Sequence, residues 1–169
     1  MRHAGHVRVY LPLTVSGLAA LHASGRIAPA PLRAHAVTAE LRAGVGDAAD
    51  DEELEYAALM AAAYDSLVLI AETSGEPRRV VVAADVDEGD VSPAGDPDDA
   101  SAVVVAIDVP LSRCGAVHVD DADADGEVSL ALARLPEAQA GDGQALAAVS
   151  LVEHELMWFA TQEIPDLLD

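Results

Sequence analysis

The chain has 169 residues, with 30 Asp+Glu against 9 Lys+Arg and a formal net charge of −21. That length suits one domain, and 51% apolar residues can build a core, which argues against disorder throughout; a surface so acidic repels phosphate, so no nucleic-acid partner is expected. No apolar run reaches the ~18–20 residues of a membrane span, and a lone cysteine, Cys114, excludes an internal disulfide framework and any multi-cysteine zinc site.

Every basic residue is Arg, and neither Lys nor Asn occurs. Codon usage in a GC-rich genome explains this most simply; adaptation to high salt is the rival reading. With aromatic residues at 3%, the core must rely on close packing of Ala, Val and Leu. No basic n-region precedes a signal-like apolar stretch, so a cytoplasmic location is expected and no membrane partner.

In chain order, residues 7–11 alternate as a first strand closed by Pro12. Thr14 caps a helix over 15–23, with Gly25 placed for a left-handed C-terminal residue. A second strand is expected near 33–37, and Thr38 opens a turn or short helix. Asp50 and Glu53 have capping-box spacing and begin the longest helix, which runs to about Ala71 before Gly75 and Pro77. Residues 80–84 read as a buried interior strand, and 102–109 as another close to it. Between them, the acidic segment 85–100 reads as a solvated loop.

Residues 115–119 form a further strand, 120–125 an acidic turn, and 126–135 a helix ended by Pro136. Ser150 and Glu153 have S-x-x-E spacing and predict a last helix, terminated by Pro165. Tyr56, Met60, Ala63 and Leu67 make one apolar helical stripe, and Val152, Leu156, Phe159 and Ala160 another. The pattern describes a single α/β domain of α+β type, a mixed sheet with helices packed on it.

Several segments follow one another in an order that resembles a known group. They are Arg8-Val9-Tyr10-Leu11-Pro12-Leu13-Thr14, Ala34-His35-Ala36-Val37-Thr38, Glu52-Glu53-Leu54-Glu55-Tyr56-Ala57-Ala58-Leu59, Val117-His118-Val119-Asp120-Asp121-Ala122-Asp123-Ala124, and His154-Glu155-Leu156 through Trp158 to Leu168. On these the chain resembles an uncharacterised family of small actinobacterial proteins, a domain of unknown function. The resemblance implies an actinobacterial origin, an N-terminal extension over 1–6 and a domain over 7–169. It implies no activity.

Catalytic signatures are sparse. No P-loop, hydrolase elbow or dinucleotide-binding turn is present, and no cofactor is expected. His154-Glu155-Leu156-Met157-Trp158 starts like a zinc-protease helix, but Trp158 stands where the second histidine belongs. Asp121, Asp123, Asp125 and Gly126 match the first half of a calcium loop, yet Leu132 falls where a bidentate Glu is required; the plain alternative is an acidic turn capping the next helix. His118 and Asp120, two apart on a strand, would form a His/carboxylate site with His154 and Glu155 if the last helix began beside them. The plain alternatives are a hydrogen-bonded strand-end histidine and a first-turn helix cap. Cys114 has Arg113 beside it but no adjacent base, so it reads as a half-buried structural thiol.

The reading that remains is a non-catalytic binding protein whose partner presents a basic protein surface. Asp87, Glu88 and Asp90 are the expected contacts, together with the acidic turn 120–125, and Trp158 serves as an apolar anchor. A metal-dependent enzyme built on His118, Asp120, His154 and Glu155 is the alternative.

Overall fold

The computed structural model describes residues 5–150 and 155–169. The chain runs β1 (His6–Leu13), α1 (Val15–Ser24), β2 (Arg26–Ile27), β3 (Leu32–His35), α2 (Ala39–Val45), α3 (Asp51–Thr73), β4 (Val80–Asp87) and β5 (Val91–Pro93). It continues through β6 (Ala102–Val105), β7 (Val109–Pro110), β8 (Cys114–Val119), α4 (Asp125–Gln139), α5 (Gly143–Ser150), β9 (Met157–Phe159) and α6 (Ile164–Leu168). Seven strands form one antiparallel sheet in the order β5-β6-β3-β1-β4-β8-β9, and β2 pairs with β7 separately. The expected α/β architecture, a sheet with helices packed on it, is what the chain adopts.

Helix starts follow local chemistry. The side chains of Thr14, Thr38 and Asp50 accept from the backbone N–H three residues on, and Gly25 ends α1 with φ 78°. Each cap satisfies a donor that the first helical turn leaves unpaired.

Strand alternation then decides the layers. Val9, Leu11, Val80, Val82, Val117 and Val119 point to one face, under Leu18 and Leu21 of α1 and Ile164 and Leu167 of α6. Tyr10, Val81, Ala83 and Ala116 point to the other, under Ala58, Ala62 and Ala63 of α3. Alanine on both sides of that contact lets helix and sheet approach closely, which is how an aromatic-poor chain fills its interior. The second half of α3 carries Leu67 into a third cluster with Val128, Ala131 and Leu135 of α4 and Ala145 and Val149 of α5.

Several expectations are corrected. α3 is long and apolar enough to cross a membrane by length and composition, contrary to the reading that no such run exists. Here it packs on the sheet and on α4 and α5. Its buried stripe is Leu54, Ala58, Ala62, Ala63, Leu67 and Ile70, whereas Tyr56 is 51% exposed. β1 continues through Pro12 to Leu13, and α4 continues through Pro136, because proline's fixed φ fits a helix and only one hydrogen bond is lost near its end.

The acidic segment 85–100 is less of a loop than expected, since β4 extends to Asp87 and β5 follows. The run 102–109 divides between two sheets, and β6 is separated from β4 by β3 and β1. No helix spans 155–160. Met157-Trp158-Phe159 is an edge strand on β8, bulky residues suited to a pleated surface, so the second expected stripe does not form. Ser150 belongs to α5, and Pro165 opens α6 instead of ending a helix.

One buried ion pair closes the sheet. Arg79 Nε and Nη2 donate to the two carboxylate oxygens of Asp120, each at 2.8 Å, and the Arg79 backbone N–H donates to Asp120 Oδ2 at 2.9 Å. The two side chains are 4% and 0% exposed. Asp120 N–H in turn donates to Arg79 O, and Arg78 Nε donates to Asp120 O. The start of β4 is thereby tied to the end of β8.

Breaking such a pair from one side costs ~3–5 kcal/mol, because the surviving charge stays buried. Asp120→Asn is therefore expected to lower the unfolding free energy by about 3 kcal/mol or more in urea denaturation. Adding Arg79→Met should recover part of that loss, since the amide oxygen still accepts from the residue 79 N–H and no buried charge remains.

Candidate functional site

Among the described residues, His118, Asp120 and Glu155 of the expected His/carboxylate site do not gather their ligand atoms into one group. Asp120 is committed to Arg79, as above. His118 lies on the α3 face with its ring 6.5 Å from that of Tyr10. Glu155 is exposed, and His154 lies outside the described residues, as do Val152 and Glu153.

Asp121 acts as a helix cap: its Oδ1 accepts from Asp123 N–H at 2.9 Å and Ala124 N–H at 3.1 Å, at the turn that leads into α4. Asp125 is already helical. Among the described residues, Asp121, Asp123 and Asp125 do not bring ligand atoms together.

Much of the acidic segment 85–100 is answered by arginines. Arg8 binds Asp85 through both oxygens at 3.3 Å. Asp87 meets Arg113 at 3.8 Å and His6 at 3.2 Å. Arg33 reaches Asp96 and Asp99, each at 3.4 Å. Asp87 and Asp120 lie at opposite ends of β4, roughly 26 Å apart at strand rise. Asp87 therefore lies about a strand length from the start of the 120–125 turn.

A different acidic surface remains. Asp50, Glu52, Glu53, Glu55, Tyr56 and Leu59 of the α3 start, with Tyr10 and His118 of the sheet, line an open cleft of about 590 Å³. Asp51 pairs with Arg42 at 3.1 Å, but Glu52, Glu53 and Glu55 make no ion pair among the described residues. Trp158 is the cross-strand partner of His118, so both project to this face, and it is 62% exposed.

Burial, and secondarily the positive charge of Arg8, holds His118 below the ordinary imidazole range. Burial first, then the charge of Glu55, raises Tyr10. The cleft thus joins uncharged rings to carboxylates that make no close ion pair among the described residues, with Arg8 acting on Glu55 from a distance.

A second polar cluster was not anticipated. His35, 0% exposed, sits with Nε2 on Asp65 Oδ2 at 2.5 Å and Nδ1 on Ser101 Oγ at 2.8 Å. Ser101 Oγ also donates to Asp99 Oδ1 at 2.8 Å. Ligand atoms of His35, Asp65 and Asp99 lie within 4.8 Å of one another, as a metal would require. However, Arg33 Nε lies 3.0 Å from Asp65 Oδ2 and Nη2 lies 3.4 Å from Asp99 Oδ2. The guanidinium already answers Oδ2 of Asp65 and Oδ2 of Asp99, the oxygens turned toward His35, and it ties β3 to α3 and to the 96–101 turn.

Burial pushes the Asp65 carboxyl up, but hydrogen bonds from His35 and Arg33 outweigh it and leave it below the usual range. One signal in the sequence pointed here. Asp65 is the lone charge between residues 57 and 71, and a lone carboxylate in so apolar a helix implies a buried partner.

Cys114 is buried because a bulge at Gly115 turns it toward the Val117 face: Ala83 pairs with Ala116, but Ala84 pairs with Cys114. Burial pushes its thiol up to about 11, against any activation by Arg113. Alkylation of the native protein near pH 8 is expected to run about two orders of magnitude slower than that of the unfolded chain, measured by mass spectrometry.

For His118, an NMR titration should show a midpoint below ~6.5, and Arg8→Gln should move it part of the way back. The sign for stability follows: the unfolded chain takes up the proton first, so His118 costs stability as pH falls through the ordinary imidazole value.

No curated protein and no solved structure matches this chain. One family model does, described as a family of unknown function, DUF6912, over residues 7–168. That match spans nearly the whole sequence, and the chain belongs to this family of unknown function.

Proposed function

We propose that the protein is a non-catalytic binding module for an Arg- or Lys-rich polypeptide segment, received in the cleft between the α3 start and the β8–β9 edge. The observation that carries the reading is the pairing there of three glutamates without ion-pair partners and three rings, Tyr10, Tyr56 and His118. Carboxylates attract a guanidinium or ammonium, and ring faces hold it by ~0.5–2 kcal/mol each when desolvated. A net charge of −21 adds long-range attraction.

Trp158 extends the aromatic surface along β9 and serves as the anchor at one end. Asp87, Glu88 and Asp90 lie beyond the other end of the cleft, past Asp85 and Arg8, and steer the approach without being its centre. Asp120 plays no part, because it is buried in its pair with Arg79, and Asp121 is engaged in capping the turn that leads into α4.

Trp158 is the chain's one tryptophan, which makes the test direct. Titration with a poly-arginine peptide should shift its fluorescence. Affinity should fall steeply as salt shortens the Debye length from ~10 Å at 0.1 M to ~3 Å at 1 M. Glu52→Gln with Glu55→Gln should weaken binding by about tenfold, while Asp98→Asn with Asp123→Asn leaves it unchanged. Equal losses in both pairs, or no response from Trp158, would reduce the interaction to diffuse charge attraction and overturn the reading.

A further inference from the structure

We propose that the gap between β1 and β3 is a binding pocket for a linear aliphatic diamine. The two strands share one paired position, Tyr10 with His35, and part beyond it, where Pro12 brings no amide hydrogen to a continued ladder. The parting leaves a cavity of about 430 Å³ reaching from Leu11, Leu13 and Ile27 to the flank of α3. That volume lies within the ~300–1,000 Å³ of small-molecule sites, and the walls are mainly apolar, as such sites are.

Its charged groups select the ligand. Asp65 and Glu72 stand at the cavity on one stripe of α3, seven residues or about 10.5 Å apart along the helix, with Val68 and Leu69 between them. Two carboxylates separated by an apolar strip match two ammonium groups separated by methylenes. Asp65 is pre-set for this: Oδ2 is held by His35 and Arg33, while Oδ1 takes no hydrogen bond among the described residues. Arg33, the one cation lining the cavity among the described residues, is already shared among Asp65, Asp96 and Asp99, so it offers an anion little.

The pocket is separate from the cleft at the α3 start, and one calorimetric series tests it on the whole protein. α,ω-Diaminooctane should bind with one-to-one stoichiometry. Octylamine should bind at least about tenfold more weakly, the loss of one charge-assisted contact, and suberate should not bind. Glu72→Gln, at an exposed residue, should bring the diamine down to the octylamine level and leave octylamine unchanged. Asp65→Asn should abolish both, and because that change also disturbs Arg33 and His35, Leu69→Trp provides a second loss by filling the cavity. Glu52→Gln with Glu55→Gln should leave diamine affinity as it was, which keeps this result apart from peptide binding. Suberate binding, octylamine as tight as the diamine, an inert Glu72→Gln, or no diamine binding would each overturn the proposal.

Discussion

The Arg79–Asp120 pair is the constraint on which the arrangement depends. It joins the entry of β4, reached directly from α3, to the exit of β8, from which α4 departs. Arg78, its neighbour, donates to the carbonyls of Asp120 and Leu167, so the C-terminal helix is held at the same corner. Ser66 completes this end: its hydroxyl donates to Leu13 O at 2.6 Å and accepts from Val80 N–H at 3.0 Å. Buried charge earns little net stability against a well-packed apolar alternative. What it does here is fix position, because a bidentate guanidinium–carboxylate contact tolerates little displacement.

With that corner set, charge sorts itself along the sheet. Nine arginines face thirty carboxylates, so only some carboxylates can be neutralised. Arg8 and Arg113 meet acids at the end of β4, and Arg33 meets acids of the turn that precedes β6. The α3 start is left to solvent with its glutamates unpaired. There the helix N-terminus tolerates negative charge, since the backbone dipole offsets it.

The two hollows of the α3 face have a common origin. α3 lies against the sheet where alanine meets alanine, around Ala58, Ala62, Ala83 and Ala116, and again at Ser66, whose hydroxyl bonds Leu13 and Val80. Toward either end of that contact the partners grow larger or diverge. Tyr10, Tyr56 and His118 hold the N-terminal end open, and the parting of β1 from β3 opens the C-terminal half. Close packing in the middle thus produces concave, carboxylate-rimmed surfaces on both sides.

Local chemistry was legible in the sequence. Thr14, Gly25, Thr38 and Asp50 punctuate helices through bonds made within a few residues, and the run 80–84 declared a buried central strand by composition alone. Asp121 as a cap was readable for the same reason. Pairing was not legible, because it rests on contacts between residues far apart in the chain. Asp120 meets Arg79 across 41 positions, and His35 meets Asp65 and Ser101 across 30 and 66. Helical spacing in the last segment lost to an edge place on β8, where Phe159 reaches the core beside Val117, as tertiary burial outweighs local propensity. Residue types and their neighbours determined the caps, the apolar runs and the excess of acid. Only the tertiary structure decided which acids are neutralised and which stay open to a ligand, because a charge is answered by what lies nearest in space.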